Sequence, residues 1–186
     1  SGKTEVYMEM IRHVLEQGRQ AIVLIPEIAL TYQTVQRFYS RFGRRIAGMH
    51  SRLSDGERYD QFERARTGDA SVMIGPRSAL FAPFPDPGLI VVDEEHETSY
   101  QSETVPRYHA RDAARQLANL AGASLVLGSA TPSLESYTRA LSGEYRLYRL
   151  TGRAKPDSAV SQVQVVDLRE ELKSGNKSMF SRALAE

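Results

Sequence analysis

With 186 residues, 41% hydrophobic and 25% charged at a net charge of +1, the chain suits one globular domain and excludes a histone-like polycation. No apolar run approaches the roughly 20 residues of a membrane span and no basic-then-apolar leader opens the chain, so no membrane role is expected. The lack of cysteine removes disulfides, thiolate zinc sites and thiol catalysis, and predicts a reducing, cytoplasmic address.

The first half predicts three helix-then-strand repeats. Residues 4–17 carry Tyr7, Met10, Ile11, Val14 and Leu15 at helical spacing, then Gly18 and the apolar run Ala21–Ile25. Residues 31–42 repeat this with Val35, Phe38, Tyr39 and Phe42, followed by Gly43 and Ile46–Met49. A third helix opens on the capping-box pattern Ser54-Asp55-Gly56-Glu57 and closes at Gly68, before the run Ser71–Ile74. Leu89–Val92 and Ser124–Leu127 predict two further strands, with helices over 108–120 and 133–141. Short apolar runs without alternation suit parallel strands buried on both faces, so the expected fold is α/β, a doubly wound and mostly parallel sheet. Beyond Ser142 the pattern weakens. Tyr145–Leu150 and Val160–Asp167 are candidate strands around a polar stretch, 168–178 reads as a linker, and a helix signal resumes near the end.

In open α/β sheets, sites lie at the carboxyl ends of strands. Ahead of the first helix, Ser1-Gly2-Lys3-Thr4 matches the last half of the phosphate-binding pattern G-x-x-x-x-G-K-[ST]. There, backbone N–H groups hold phosphates, the Lys reaches the β/γ-phosphates and the hydroxyl binds Mg²⁺. The chain opens inside this motif and lacks an initiator Met, so it is read as a piece of a longer protein whose first strand is missing. Asp93-Glu94-Glu95-His96 follows the strand 89–92 directly. A metal-binding carboxylate beside a water-polarising one is what phosphoryl transfer needs, because that chemistry rests on positioning and charge neutralisation. Gly128-Ser129-Ala130-Thr131 follows the next strand and reads either as a coupling element or as a plain helix-capping turn.

Taken in order, Lys3-Thr4, Asp93–His96 and Ser129-Ala130-Thr131 resemble a superfamily 2 helicase. Longer stretches resemble its primosomal, replication-restart family: Leu24–Thr31, His50–Ser54, Arg77–Pro83 and Pro106–Asp112. That resemblance runs over residues 1–170 and implies a RecA-like P-loop lobe, with boundaries 1–150 for the lobe, 151–178 for a strand and linker, and 179–186 for the start of a second lobe. It implies ATP and Mg²⁺ as cofactors, with Ser1, Gly2, Lys3 and Thr4 on the phosphates, and Thr4 and Asp93 on the metal. Glu94, Asp93 and Lys3 would then be catalytic, with Glu94 acting on the attacking water. His96, Gly128, Ser129, Ala130 and Thr131 would couple hydrolysis to movement. Pro26, Glu27, Thr31, Arg52, Arg77, Ser78, Tyr100, Arg107 and Tyr108 would touch DNA, the last three within an aromatic-rich loop, by stacking and backbone contacts. The implied partners are single-stranded and forked DNA, a single-stranded-DNA-binding protein and other primosome proteins. Zinc is expected in the parent and not in this cysteine-free segment.

Two stretches depart from the pattern. Pro76 stands where a Thr is expected, and Ser102-Glu103-Thr104-Val105 stands where a Lys/Gln-rich run is expected. Other readings stay open: a RecG-like or restriction-type translocase, or a non-catalytic DNA-binding module. The isolated chain is expected to hydrolyse ATP poorly, since the phosphate loop is half present and no second lobe supplies an arginine.

Overall fold

The computed structural model describes residues 2–151 and 163–185. Its contacts separate two units, Ser1–Thr151 and Gly152–Glu186.

In the first unit, strands β1 (Gln20–Leu24), β2 (Ile46–Gly48), β3 (Val72–Gly75), β4 (Pro87–Asp93) and β5 (Ser124–Gly128) form one sheet in the order β2-β3-β1-β4-β5. Every pairing is parallel. Helices α1 (Lys3–Glu16), α2 (Tyr32–Phe42), α3 (Asp55–Thr67), α4 (Ala110–Ala121) and α5 (Leu134–Leu141) lie between and after the strands. All ten elements fall within two residues of their predicted bounds.

The apolar runs do not alternate because both faces of the sheet are covered. Ala21, Val23, Leu89 and Val91 point to one face, where Tyr7, Met8 and Ile11 of α1 and Phe38 of α2 pack. Ile22, Leu24, Ile90 and Val92 point to the other, against Ala65 of α3 and Ala110, Ala114 and Ala118 of α4. Three alanines spaced four apart let the α4 backbone lie close on β4, which brings the start of that helix near the strand's carboxyl end. Helix starts are fixed chemically as well. The capping box on α3 forms as predicted, with Ser54 accepting the Glu57 N–H while the Glu57 carboxylate accepts the Ser54 N–H.

The five strands hydrogen-bond in an unbroken series. Two expectations are corrected. Tyr145–Leu150 forms no strand, and Leu147, Tyr148 and Leu150 are exposed. Residues 168–178 are not all linker. In the second unit Asp167 caps a helix α6 (Leu168–Lys173) by accepting the Arg169 N–H at 2.8 Å, and Glu171 then accepts from Asn176 and from the Arg182 N–H that opens the short helix α7 (Arg182–Ala185). Residues 163–167 are irregular, and the remainder of the candidate strand Val160–Asp167 lies outside the described residues, as do Ser1 and Glu186.

Candidate active site

Strand β4 ends at Asp93, and the chain turns at once. Glu94 takes φ +47°, a left-handed conformation that is costly for a residue with a Cβ and persists only where its surroundings enforce it. The surroundings come from β5. Asp93 lies in register with Gly128, and the Glu95 N–H donates to the Gly128 carbonyl at 3.0 Å. The acidic turn and the Gly128–Thr131 turn are therefore held side by side.

Helix α1 points its first turn at the same place. Lys3 Nζ lies 2.6 Å from Glu94 Oε1 and 3.3 Å from Asp93 Oδ1, with 12% of its side chain exposed. One turn later the buried Tyr7 hydroxyl donates to Asp93 Oδ1 at 2.9 Å, and the Tyr100 hydroxyl donates to the Asp93 carbonyl at 2.7 Å. Burial first, and then the Asp93 charge, push both phenols well above their ordinary pKa, so each stays a donor. Asp93 is thus gripped at side chain and backbone. Gly128 is required by the same packing: a Cβ there would fall 1.6 Å from the Tyr7 hydroxyl. Gly2 caps α1, Thr4 sits half-buried in its first turn, and Ser1 lies outside the described residues.

His96 faces the second turn. Its Nδ1 is 2.7 Å from Ser129 Oγ and its Nε2 is 3.4 Å from Thr131 Oγ1, while the Thr131 N–H donates to Ser129 Oγ at 2.9 Å. Ala130 is exposed between them. The structure thus brings His96 together with Ser129 and Thr131.

Glu95 escaped the sequence reading. It is 2% exposed, and its carboxylate accepts four donors: the Ser133 N–H at 2.6 Å, Ser133 Oγ at 3.0 Å, Ser136 Oγ at 2.9 Å and Arg111 Nη1 at 2.9 Å. Burial pushes its pKa up, but the Ser133 N–H, Arg111 and the two hydroxyls outweigh burial and leave it below the ordinary carboxylate value. A pattern of serines at the start of α5 was visible in the sequence; the partner on α4 was not, because only the fold brings Arg111 to it.

The expected DNA-contacting residues divide into two sets. Tyr100 is 1% exposed and spends its hydroxyl on Asp93, so it has no face free for a base. Pro26 is buried. Half-buried Arg77 donates to the carbonyls of Ser99 and Gln101 at 3.0 and 2.8 Å and so braces the aromatic-rich loop. Glu27, Thr31, Arg52, Ser78 and Arg107 are exposed, although Thr31 also caps α2 by accepting the Thr34 N–H. Tyr108 is half-buried and meets exposed Phe81 edge-on, with ring centroids 5.4 Å apart. The loop is closed by a bridge between Gln101 and His109 and by the Ser102 N–H donating to the Tyr108 carbonyl.

His109 caps α4, its Nδ1 accepting the Arg111 N–H at 3.2 Å. Burial, then the Arg111 charge, pull its pKa below the ordinary 6.5 against the opposing pull of Asp112, Glu95 and Glu135. The unfolded imidazole takes up its proton at higher pH than the folded one. Stability is therefore full above 6.5 and falls as pH drops through the folded value. Urea midpoints measured down a pH series are expected to fall more steeply below 6.5 for the wild type than for His109→Asn, whose capping oxygen does not titrate.

Among the described residues no three His, Cys, Asp or Glu side chains group as a metal cage. The donor set nevertheless fits Mg²⁺. The Lys3 ammonium already occupies the cation position between Asp93 and Glu94, and Mg²⁺ is commonly held by one or two carboxylates together with substrate phosphates.

Residues 1–140 match the family described as DEAD/DEAH box helicase. The chain is 50% identical over its whole length to the replication restart protein PriA of Bacillus subtilis, covering 23% of that protein. It is 48% identical over 98% of its length to the PriA of Chlamydia pneumoniae, covering 24%. It spans about a quarter of the length of these curated relatives. Among solved structures, the Pyrococcus furiosus Hef helicase domain superposes on 76% of this chain and 30% of its own, with a TM-score of 0.53 and 21% identity, a likeness of fold alone. The resemblance to replication-restart helicases therefore holds at the level of sequence, and the RecA-like lobe at the level of structure. No helix among the described residues is long and apolar enough to cross a membrane. By the match over residues 1–140, this chain belongs to the DEAD/DEAH box helicase family, which uses a nucleotide and Mg²⁺.

Proposed function

We propose that the chain is the ATP-hydrolysing lobe of a helicase that reloads the replication machinery, coupling hydrolysis to movement along single-stranded DNA. The observation that carries this reading is Lys3, Asp93 and Glu94 gathered within salt-bridge distance, beside His96 bonded to Ser129. In this reading Gly2, Lys3 and Thr4 take the phosphates, and Thr4 and Asp93 take Mg²⁺, which neutralises phosphate charge when bound. Glu94 orients and deprotonates the attacking water once Lys3 moves from the carboxylates to the phosphates. His96, Ser129 and Thr131 carry the signal between hydrolysis and the DNA face, and that face is made by Arg52, Arg107, Tyr108 and the 27–31 turn.

The RecG-like and restriction-type readings are not favoured, because relatives at 44% to 50% identity are replication restart proteins. The zinc centre, the single-stranded-DNA-binding protein and the other primosome partners are proposed for the parent outside this chain, which has no cysteine. A cytoplasmic address goes with them.

ATP turnover by the full-length protein, with and without single-stranded DNA, tests the reading: DNA is expected to raise turnover, and unchanged turnover would refute it. Tyr7→Phe probes the metal assignment. Losing the hydrogen bond that orients Asp93 is expected to raise the Mg²⁺ concentration for half-maximal turnover by about tenfold, measured by Mg²⁺ titration.

A further inference from the structure

Asp93 offers a cation one carboxylate oxygen, not two. Its Oδ1 accepts the Tyr7 hydroxyl at 2.9 Å and lies 3.3 Å from Lys3 Nζ. The neighbouring strand walls the same oxygen: a Cβ on Gly128 would lie 3.4 Å from it and 1.6 Å from the Tyr7 hydroxyl. Among the described residues Oδ2 makes no hydrogen bond or ion pair, and no buried side-chain oxygen lacks a partner. Oδ2 is therefore the oxygen that reaches solvent, on a side chain 18% exposed.

The hydroxyl that holds Oδ1 is itself fixed. Tyr7 is 4% exposed and packs on the sheet with Met8, Ile11 and Phe38, so it has no water to turn to. Tyr100 holds the other end of Asp93 through its carbonyl. With both ends held, the carboxylate is not free to swing until two oxygens face one ion. Lys3 does not supply this restraint, because in the proposed reaction it moves to the phosphates while Tyr7 stays in the core.

Such a restraint discriminates between hard cations. Mg²⁺ demands near-octahedral geometry, keeps several waters and takes one or two carboxylates together with phosphates. Ca²⁺ takes roughly six to eight oxygens in looser geometry and accepts a carboxylate through both of its oxygens. Ligand number and flexibility decide between the two ions.

We infer that Tyr7 sets the metal preference of the site: by occupying Asp93 Oδ1 it leaves a single-oxygen ligand, which suits Mg²⁺ and denies Ca²⁺ a chelating carboxylate. This rests on the proposed placement of Mg²⁺ at Asp93. Tyr7 is a positioning residue that acts through Asp93 and touches neither metal nor nucleotide.

The test uses the full-length protein and reads the dissociation constant of a fluorescent non-hydrolysable ATP analogue at saturating Mg²⁺, at saturating Ca²⁺ and in EDTA. Melting temperature is read in parallel. The wild type is expected to bind the Mg²⁺ form at least about tenfold tighter than the Ca²⁺ form. Tyr7→Phe, which keeps the buried ring, is expected to lose about tenfold of that preference, chiefly through weaker binding of the Mg²⁺ form. Tyr100→Phe frees the Asp93 carbonyl and not Oδ1, so its preference is expected to stay within about threefold of the wild type. A preference that Tyr7→Phe leaves intact, with both forms weakened equally or not at all, would make Tyr7 merely structural and overturn the inference. A preference that Tyr100→Phe lowers as far as Tyr7→Phe would overturn it too. If Tyr7→Phe does not fold, Gly128→Ala decides, because its Cβ displaces the Tyr7 hydroxyl and must produce the same loss. A wild type indifferent between the two cations overturns the inference whatever the variants do. Binding that is the same in EDTA as in Mg²⁺ removes the metal from the proposed function itself, and the inference with it.

Discussion

Glu94→Gln is expected to reduce DNA-stimulated ATP turnover of the full-length protein by between about a hundredfold and ten-thousandfold, the range for loss of a positioned general base. The substitution keeps shape, keeps an oxygen for Lys3 and leaves the φ of +47° no more strained than before. Nucleotide affinity should stay within about threefold, so the loss falls on kcat and not on binding. Single-turnover hydrolysis with nucleotide binding measured in parallel checks both parts. Turnover that survives the substitution would remove Glu94 from the chemistry and leave the acidic turn as a metal and packing element only.

Lys3→Ala is expected to abolish turnover to a similar depth, at least about a hundredfold, for a different reason. Glu94→Gln spares nucleotide affinity, whereas Lys3→Ala removes a positive charge from the phosphates in both ground and transition states, so affinity falls too. It also has a consequence in the absence of nucleotide. Asp93 and Glu94 are adjacent carboxylates that Lys3 neutralises at 3.3 and 2.6 Å, and without it they repel at a strand end where Asp93 is already held by Tyr7. A loss of about 1 kcal/mol in unfolding free energy is expected, kept small because water reaches Glu94. Added Mg²⁺ should restore part of that loss, which a urea titration with and without Mg²⁺ would measure. A variant of unchanged stability, insensitive to Mg²⁺, would argue against a cation site between the two acids.

The sheet was legible in the sequence because its strands are buried on both faces. A run such as Leu89–Val92 has no solvent side to encode, so it stands out from the amphipathic helices around it. The carboxyl-end rule then led to Asp93, Glu94, His96 and Ser129, and the half phosphate-loop pattern led to Lys3; the fold places these side chains together. What could not be read was the bracing. Tyr7 and Tyr100 looked like a core residue and a DNA-stacking residue, and they are the two donors that hold Asp93. Glu95 looked like one more acid in a run, and Arg111 like one residue of the predicted helix 108–120; their pairing spans 16 positions and depends on α4 lying close on β4 through its alanines. The misreadings at 145–150 and 168–178 share a cause. Tyr and Leu favour strands only when a neighbouring strand is present, and a charge-rich stretch still starts a helix when Asp167 supplies the cap.

The most direct test of this account is a structure of the full-length protein with Mg²⁺ and a γ-phosphate mimic. It predicts that Lys3 Nζ leaves its position 2.6 Å from Glu94 Oε1 for the phosphate, that Mg²⁺ sits against Asp93 and Thr4, and that Glu94 faces the line of attack. Lys3 still paired with Glu94, or a nucleotide bound away from the acidic turn, would contradict it.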